Sequence, residues 1–320
     1  MFHLLNKNLN LQLFFLAILT GWAGWTIFTQ MTLMPADGCM IIYHYIANLW
    51  AKMPILIRLC AFGMVITMTV AVNQHFDSHH FHDSRTYMPG VFLLLLLNFG
   101  KFMHTLTPAF LTLFAIALMM ILYSPSDQTS KMKERIFTIG LIIAIATMLD
   151  ISASGLALFL IMLIAINNVT SFKDILILLF GILFPYIYAF SIAFIANSMP
   201  ELLNSWRQLD VFEPVKQFTH LRIIDYVAIG WFIVSIAILM IRDKRLLDNK
   251  LIVIRQAFNN VNMLLFSMFL FLWLGIVPLP TALTYLLLPV SIYMALAVTS
   301  KKQRYIIDLM IVSICVMLWF

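Results

Sequence analysis

Four histidines and two aspartates fall within nine residues at 75–83, in His75-Phe76-Asp77-Ser78-His79-His80-Phe81-His82-Asp83. Neutral imidazole is a favoured ligand of zinc, copper and iron, so His75, His79, His80 and His82 are candidate ligands for a divalent metal. The plainer reading is an ordinary polar loop between two membrane spans. No other cofactor is expected. A second set of candidates is basic. Arg58, Lys101 and Arg207 carry guanidinium and ammonium groups suited to the phosphate of a lipid-linked substrate, with Lys52 and Arg222 extending the same rim. Asp37, in Met34-Pro35-Ala36-Asp37-Gly38, is the candidate catalytic acid or base. Asp150, Glu201, Asp210 and Glu213 are further carboxylates that could act as bases. For each of these the alternative is a headgroup anchor or a local ion pair.

Composition limits what such groups can do. Of 320 residues, 62% are hydrophobic and 11% charged, and the mean hydropathy is +0.97. Soluble domains are about half apolar and a quarter charged, which excludes a water-soluble enzyme and a disordered chain. Cys39, Cys60 and Cys315 form no metal-like pair and read as unpaired thiols, which excludes a disulfide scaffold. The net charge of +6 reports loop placement in a membrane protein rather than nucleic-acid binding. The chain has no phosphate-binding GxxxxGK[ST], no dinucleotide fingerprint, no HExxH and no GxSxG. Its apolar runs also lack the chains of Asp, Glu and His that proton-coupled transporters carry through the midplane.

The elements that must position the candidates are transmembrane helices. A crossing needs about 20 apolar residues, and only helices and closed barrels satisfy their backbone in lipid. Charged residues divide the chain into eleven spans at 9–34, 54–72, 88–99, 105–123, 135–149, 152–166, 174–198, 223–241, 258–277, 281–298 and 306–320. The first reads as an uncleaved anchor. With the N-terminus inside and the C-terminus outside, fourteen basic residues fall on the inner side and six on the outer, as the positive-inside rule requires. The expected fold is therefore all-α, a single polytopic integral-membrane bundle with no soluble domain. Spans 135–149 and 152–166 are short, at about 22 Å each, so the pair either re-enters or sets its turn, Asp150-Ile151-Ser152, below the outer surface. Span 88–99 is shorter still and must borrow helix from its flanks. Residues 41–50 and 201–217 have the makings of surface helices on the outer side.

Several resemblances follow from these residues. His75-xxx-His79-His80 looks like one histidine box of the membrane di-iron desaturases and hydroxylases, which need several boxes; the other histidines here, His3, His44, His104 and His220, are scattered. Arg85-Thr86-Tyr87-Met88-Pro89, the run from Arg135 to Thr147 and the run from Phe172 to Tyr186 together resemble an uncharacterised polytopic inner-membrane family of Bacteroidota. That likeness covers roughly 85–188, implies a bacterial envelope setting and supplies no catalytic residues. The eleven spans, the acid in the first outer loop and the basic outer rim are similar in architecture to membrane glycosyltransferases and polymerases that use polyprenyl-linked sugars. The expectation is an envelope-biogenesis protein acting on a lipid-linked glycan at the outer face. A non-catalytic subunit of a larger membrane complex is the alternative, and a facilitative transporter a third. The expected partners are membrane lipids, a lipid-linked glycan and other membrane proteins, with no nucleic acid.

Overall fold

The computed structural model describes residues 8–34, 41–79, 81, 85–99, 102–122, 132–155, 172–195, 197, 199–200, 202–203, 234, 237–238, 252–273 and 279–299. These residues are almost entirely helical. In chain order the helices are α1 (Leu9–Gln30), α2 (Ile41–Lys52), α3 (Pro54–Ser78), α4 (Met88–Phe99), α5 (Pro108–Leu122), α6 (Met132–Leu149), α7 (Phe172–Ile195), α8 (Ile252–Trp273) and α9 (Leu279–Thr299). Two short strands, β1 (Thr32–Leu33) and β2 (Thr105–Leu106), pair in parallel. On length and composition, Leu9–Gln30, Pro54–Ser78 and Lys173–Ile195 can each cross a membrane. Their outward faces carry Phe14, Trp25, Ile55, Leu59, Phe180 and Phe194, all exposed, which is what a lipid-facing surface requires.

Contacts fix the helix directions. We call the end where α1 begins the lower end and the end where it finishes the upper. Gln12, early in α1, meets Thr86 and Tyr87 at the head of α4, so α1 and α4 rise side by side. The intervening α3 descends, since Arg58 near its start reaches Phe28 and Met31 while Asn73 near its end reaches Gly90. His75 lies against Met120 in the last turn of α5, which descends too. In α9, Tyr285 meets Asp150 above α6 and Tyr293 packs on Phe258 early in α8, so α8 rises and α9 descends.

The short span at 88–99 does not borrow helix from its flanks. Its twelve residues rise only about 18 Å. Asn98 Nδ2 lies 2.9 Å from the Leu94 carbonyl and 3.5 Å from that of Leu19, so α4 stops near the midpoint of α1. The rest of the climb ends in non-helical backbone that pairs with the chain leaving α1. Such backbone survives at membrane depth only where protein satisfies its polar groups. Here Thr32 donates from its peptide nitrogen to the His104 carbonyl at 2.8 Å, and Met34 to that of Leu106 at 3.2 Å. The hydroxyl of Tyr43, buried on α2, adds a bond to the Leu106 carbonyl at 2.7 Å. Residues 41–50, expected to form a surface helix, thus clamp this paired backbone through Tyr43.

The head of α4 is buried, and its free N–H groups are all accounted for. Tyr87 donates to Gln12 Oε1 at 2.7 Å, Met88 to Thr86 Oγ1 at 3.3 Å and Gly90 to Asn73 Oδ1 at 2.7 Å. Pro89 has no N–H to satisfy, and Val91 begins the helical ladder on the Tyr87 carbonyl. Two of the three caps therefore come from neighbouring helices, α1 and α3, and the third from Thr86, two residues earlier in the chain.

Helices α6 and α7 run parallel and touch backbone to backbone. A Cβ placed on Gly140 would stand 2.6 Å from the Leu178 carbonyl oxygen, and one on Gly181 2.5 Å from that of Phe137. Small residues at a crossing let membrane helices approach this closely, and Phe137 on Phe184 seals the flank. Because the two helices are parallel, Leu149 and Phe172 lie at opposite ends of the pair. Helix α6 begins at Met132, three residues before the expected span, and places Lys133 and Glu134 in exposed positions at the lower end.

Candidate functional site

Helix α3 supplies polar groups to the ends of three neighbours, and this decides the fate of two predicted sites. Arg58, expected to bind phosphate, donates from Nη1 to the Phe28 carbonyl at 2.7 Å and from Nη2 to the Met31 carbonyl at 3.3 Å. These groups belong to the end of α1, where the last carbonyls have no helical partner and the dipole favours a cation. Trp50 of α2 covers the guanidinium, with 5.6 Å from the charge centre to the ring. Nε is buried and unpartnered, while Nη1 and Nη2 are each tied to the end of α1. Arg58→Lys keeps the charge but not the fork. It is expected to cost about 1–3 kcal/mol in a denaturation series, because one ammonium cannot reach both carbonyls and stack on Trp50.

At the other end of α3, the expected polar loop begins as helix. The helix continues past Val72 to Ser78, and His75 and His79 are 5% and 3% exposed. His75 Nδ1 lies 3.1 Å from the Met120 carbonyl, and the two imidazole rings sit 4.4 Å apart at 66°. Some seventeen residues of helix, about 25 Å, separate this pair from Arg58. The two groups therefore belong to different sites. His80, His82, Asp37, Lys101 and Arg207 lie outside the described residues. No cluster of three or more His, Cys, Asp or Glu gathers among the described residues. Cys60 is a free thiol on an exposed face of α3.

The strongest candidate for chemistry is a polar cluster at the top of α6. The chain leaves α6 at Asp150 and turns through a 3-10 segment, Ile151–Ala153. One Asp150 oxygen accepts from the Ser152 peptide at 3.0 Å, a bond that sets the turn. The other accepts from the Tyr285 hydroxyl of α9 at 2.9 Å. A turn earlier, the Thr147 hydroxyl donates to the Ala144 carbonyl at 2.8 Å and receives the Tyr186 hydroxyl of α7 at 2.5 Å. Phe271 of α8 closes one side against Gly155, where a Cβ would stand 2.6 Å from its ring. The carboxylate thus joins the top of α6 to α9, while Thr147 and Gly155 on either side of it meet α7 and α8.

Asp150 is partly buried and Tyr285 fully buried, so the carboxylate has a fixed donor behind it. Burial raises the Asp150 carboxyl above its ordinary value, and hydrogen bonds from Tyr285 and Ser152 draw it back down. The sequence singled out the Asp150 turn as a carboxylate between two short apolar arms, and the structure joins that carboxylate to Tyr285 and Ser152. Tyr285 and Tyr186 had no sequence signal, because a tyrosine in an apolar span reads as packing.

Comparison with protein-family models, with curated proteins and with solved structures finds no match.

Proposed function

We propose that this chain is a multi-pass protein of the bacterial cytoplasmic membrane that serves envelope biogenesis, acting on a lipid-linked glycan at the outer leaflet. The carrying observation is the Asp150 carboxylate, partly accessible at the upper end and oriented by Tyr285 and Ser152. Asp150 serves as general base: an acceptor hydroxyl loses its proton to the carboxylate as its oxygen bonds to the anomeric carbon. The bond from that carbon to the lipid phosphate breaks, and the phosphate leaves with its negative charge. Lys101 and Arg207 are the cations proposed to hold that charge, with Asp37 the alternative base. Arg58 contributes chiefly by fixing the end of α1. The orientation has support of its own. Among the described basic residues, Arg85, Lys133, Arg135, Lys173 and Arg255 stand at the lower end and Lys52 and Arg58 at the upper. That bias favours a cytoplasmic lower end. The alternating helix directions, and the parallel run of α6 and α7, support an intervening return crossing and the eleven-span scheme.

Reconstitution with a polyprenyl-diphosphate-linked oligosaccharide, followed by mass spectrometry of the lipid fraction, tests this reading. Wild type is expected to consume the donor, and Asp150→Asn to slow it by on the order of 100-fold or more. Asp37→Asn slowing it instead would move the base to the first outer loop. The same variant carries a stability prediction. Asp150 has a raised folded value, so the native state binds the extra proton. Its contribution is fully present below the unfolded carboxylate value and is lost as pH rises through the folded one. Asp150→Asn is expected to remove that downward slope in melting temperature, leaving it at least as stable as wild type at pH 8.

A specific observation favours the second reading, a non-catalytic subunit. Only 11% of the membrane-spanning window of α7 is buried, and Ile187, Phe194 and Ile195 face outward as a continuous apolar strip. A stoichiometric protein partner retained in mild detergent, with no turnover of any donor, would decide for it.

A further inference from the structure

We propose that the outer face of α7 is a track for an isoprenoid chain, the tail of a polyprenyl phosphate, leading down from the Asp150 cluster. The inference rests on the lipid-linked reading above and adds the class of lipid.

Phe180, Phe184 and Tyr188 are four residues apart and so lie in line on one face of α7. All three are exposed, with Leu183 and Ile187 exposed beside them. The Phe184 and Tyr188 rings stand 4.9 Å apart, and Phe137 of α6 meets Phe184 at 6.2 Å. The ladder of rings therefore follows the seam between α6 and α7. Its depth is set by the bond between the Thr147 and Tyr186 hydroxyls. The two helices are parallel, so Asp150 and Tyr188 both lie a short way above that bond, near one level. Phe184 and Phe180 follow about 6 and 12 Å below Tyr188. A phosphate held beside Asp150 would send its tail down the rings.

Bulk lipid does not call for this arrangement. Acyl chains are satisfied by aliphatic surface, and the exposed face of α3 is of that kind, with Ile55, Leu59, Ile66 and Val70. Aromatic belts belong at the membrane surface, where α1 exposes Trp25 near its upper end. The rings of α7 run instead through the middle of the helix. Ring faces attract C–H groups and π systems, which an isoprenoid offers at every methyl branch and double bond. Its branched, unsaturated chain is also stiffer than a saturated one and loses less freedom when laid along a fixed surface.

The test uses the full-length protein in nanodiscs of saturated phosphatidylcholine, with a polyprenyl phosphate carrying a diazirine on its chain. Photolabelling mapped by mass spectrometry should concentrate on 180–188. Unlabelled polyprenyl phosphate should compete at least about 10-fold better than hexadecyl phosphate, which has the same headgroup and a saturated tail. Phe180→Leu with Tyr188→Leu keeps the face apolar and should weaken labelling by on the order of 10-fold. Phe184 is left in place because it packs on Phe137, and a melting curve checks that the variant folds. The proposal is overturned if label spreads evenly over α1, α3 and α7, if the saturated phosphate competes equally, or if the double variant is labelled like wild type. A protein partner seated on this face that shuts out the probe would overturn it too. Labelling needs no turnover, so the two readings separate. A protein that takes the probe on α7 but consumes no glycan donor keeps the track and loses the glycosyl transfer. One that consumes donor while labelled elsewhere loses the track.

Discussion

Gly181→Ala is expected to destabilise the protein by about 1–3 kcal/mol, from a single added methyl group. That methyl would stand 2.5 Å from the Phe137 carbonyl oxygen and 3.2 Å from the Gly140 Cα. Both obstacles are helix backbone, so no side chain can rotate away and the two helices must move apart. Separation weakens the Phe137–Phe184 contact and the Thr147–Tyr186 bond, which depend on the same approach. Gly140→Ala meets the Leu178 carbonyl at 2.6 Å and should cost a similar amount. The double variant should cost less than the sum, because one outward shift relieves both clashes. Gly63→Ala is the control. Nothing lies within 4 Å of its Cβ position, and alanine is favoured over glycine in a helix by about 0.5–1 kcal/mol, so this variant should be slightly more stable. Thermal and denaturant unfolding of the four variants in one detergent measures the set. Equal stability of Gly181→Ala and Gly63→Ala would mean that α6 and α7 do not touch in this way.

The second large effect is expected at Gln12→Leu. The side chain is 2% exposed, and Oε1 receives both the Tyr87 peptide N–H and the Thr86 hydroxyl. Leucine fills a similar volume but accepts nothing, so a buried peptide donor at the head of α4 is left bare. Such a donor costs about 1–3 kcal/mol, the full loss of its desolvation. Glutamate at the same position keeps an acceptor but brings a charge into a buried site, and should fare worse than glutamine as well. The readout that separates capping from general packing is local. Amide exchange in the first turn of α4 should accelerate in Gln12→Leu by more than exchange in α6 or α7.

Much of the scaffold was legible because a span declares itself by composition. The helices at 9–30, 88–99 and 172–195 begin or end within a few residues of the charge-delimited runs. The failures share a cause. Residues 73–79 looked like loop because Asn73, His75, Asp77 and His79 are polar, yet each is on α3 or at its end with a neighbouring helix end beside it or a buried ring to pack on. Polarity reports the need for a partner, and a helix terminus meets that need as well as water does. The pairing at 105–106 was unreadable for the opposite reason. Thr105 and Leu106 open the apolar run 105–123, which promises a helix, and only their pairing with Thr32 and Leu33 shows extended backbone there.

The candidate site divides the same way. Asp150 announced itself as a carboxylate in a turn between two short apolar arms. Among the described residues, its one hydrogen bond from another helix comes from Tyr285, which lies 135 residues later and was brought to it by α9. Arg58 likewise announced a cation near the membrane surface, and tertiary structure spent that cation on the end of α1.

The sequence by itself determined the solvent of this protein: 62% apolar residues and 11% charged leave it no stable home but a bilayer, in which backbone satisfaction dictates helices. It also determined where charge can stand, because a charge at membrane depth is costly wherever it occurs in the chain. What only the tertiary structure decided is which polar groups remain available for chemistry. Hydrogen-bond partners in a helical membrane bundle come from other helices, at sequence separations that no local pattern encodes. The opening arrangement of histidines and basic residues was therefore a list of needs. The fold tied two nitrogens of Arg58 to the end of α1, left one nitrogen of His75 without a hydrogen bond, and joined the Asp150 carboxylate to Tyr285.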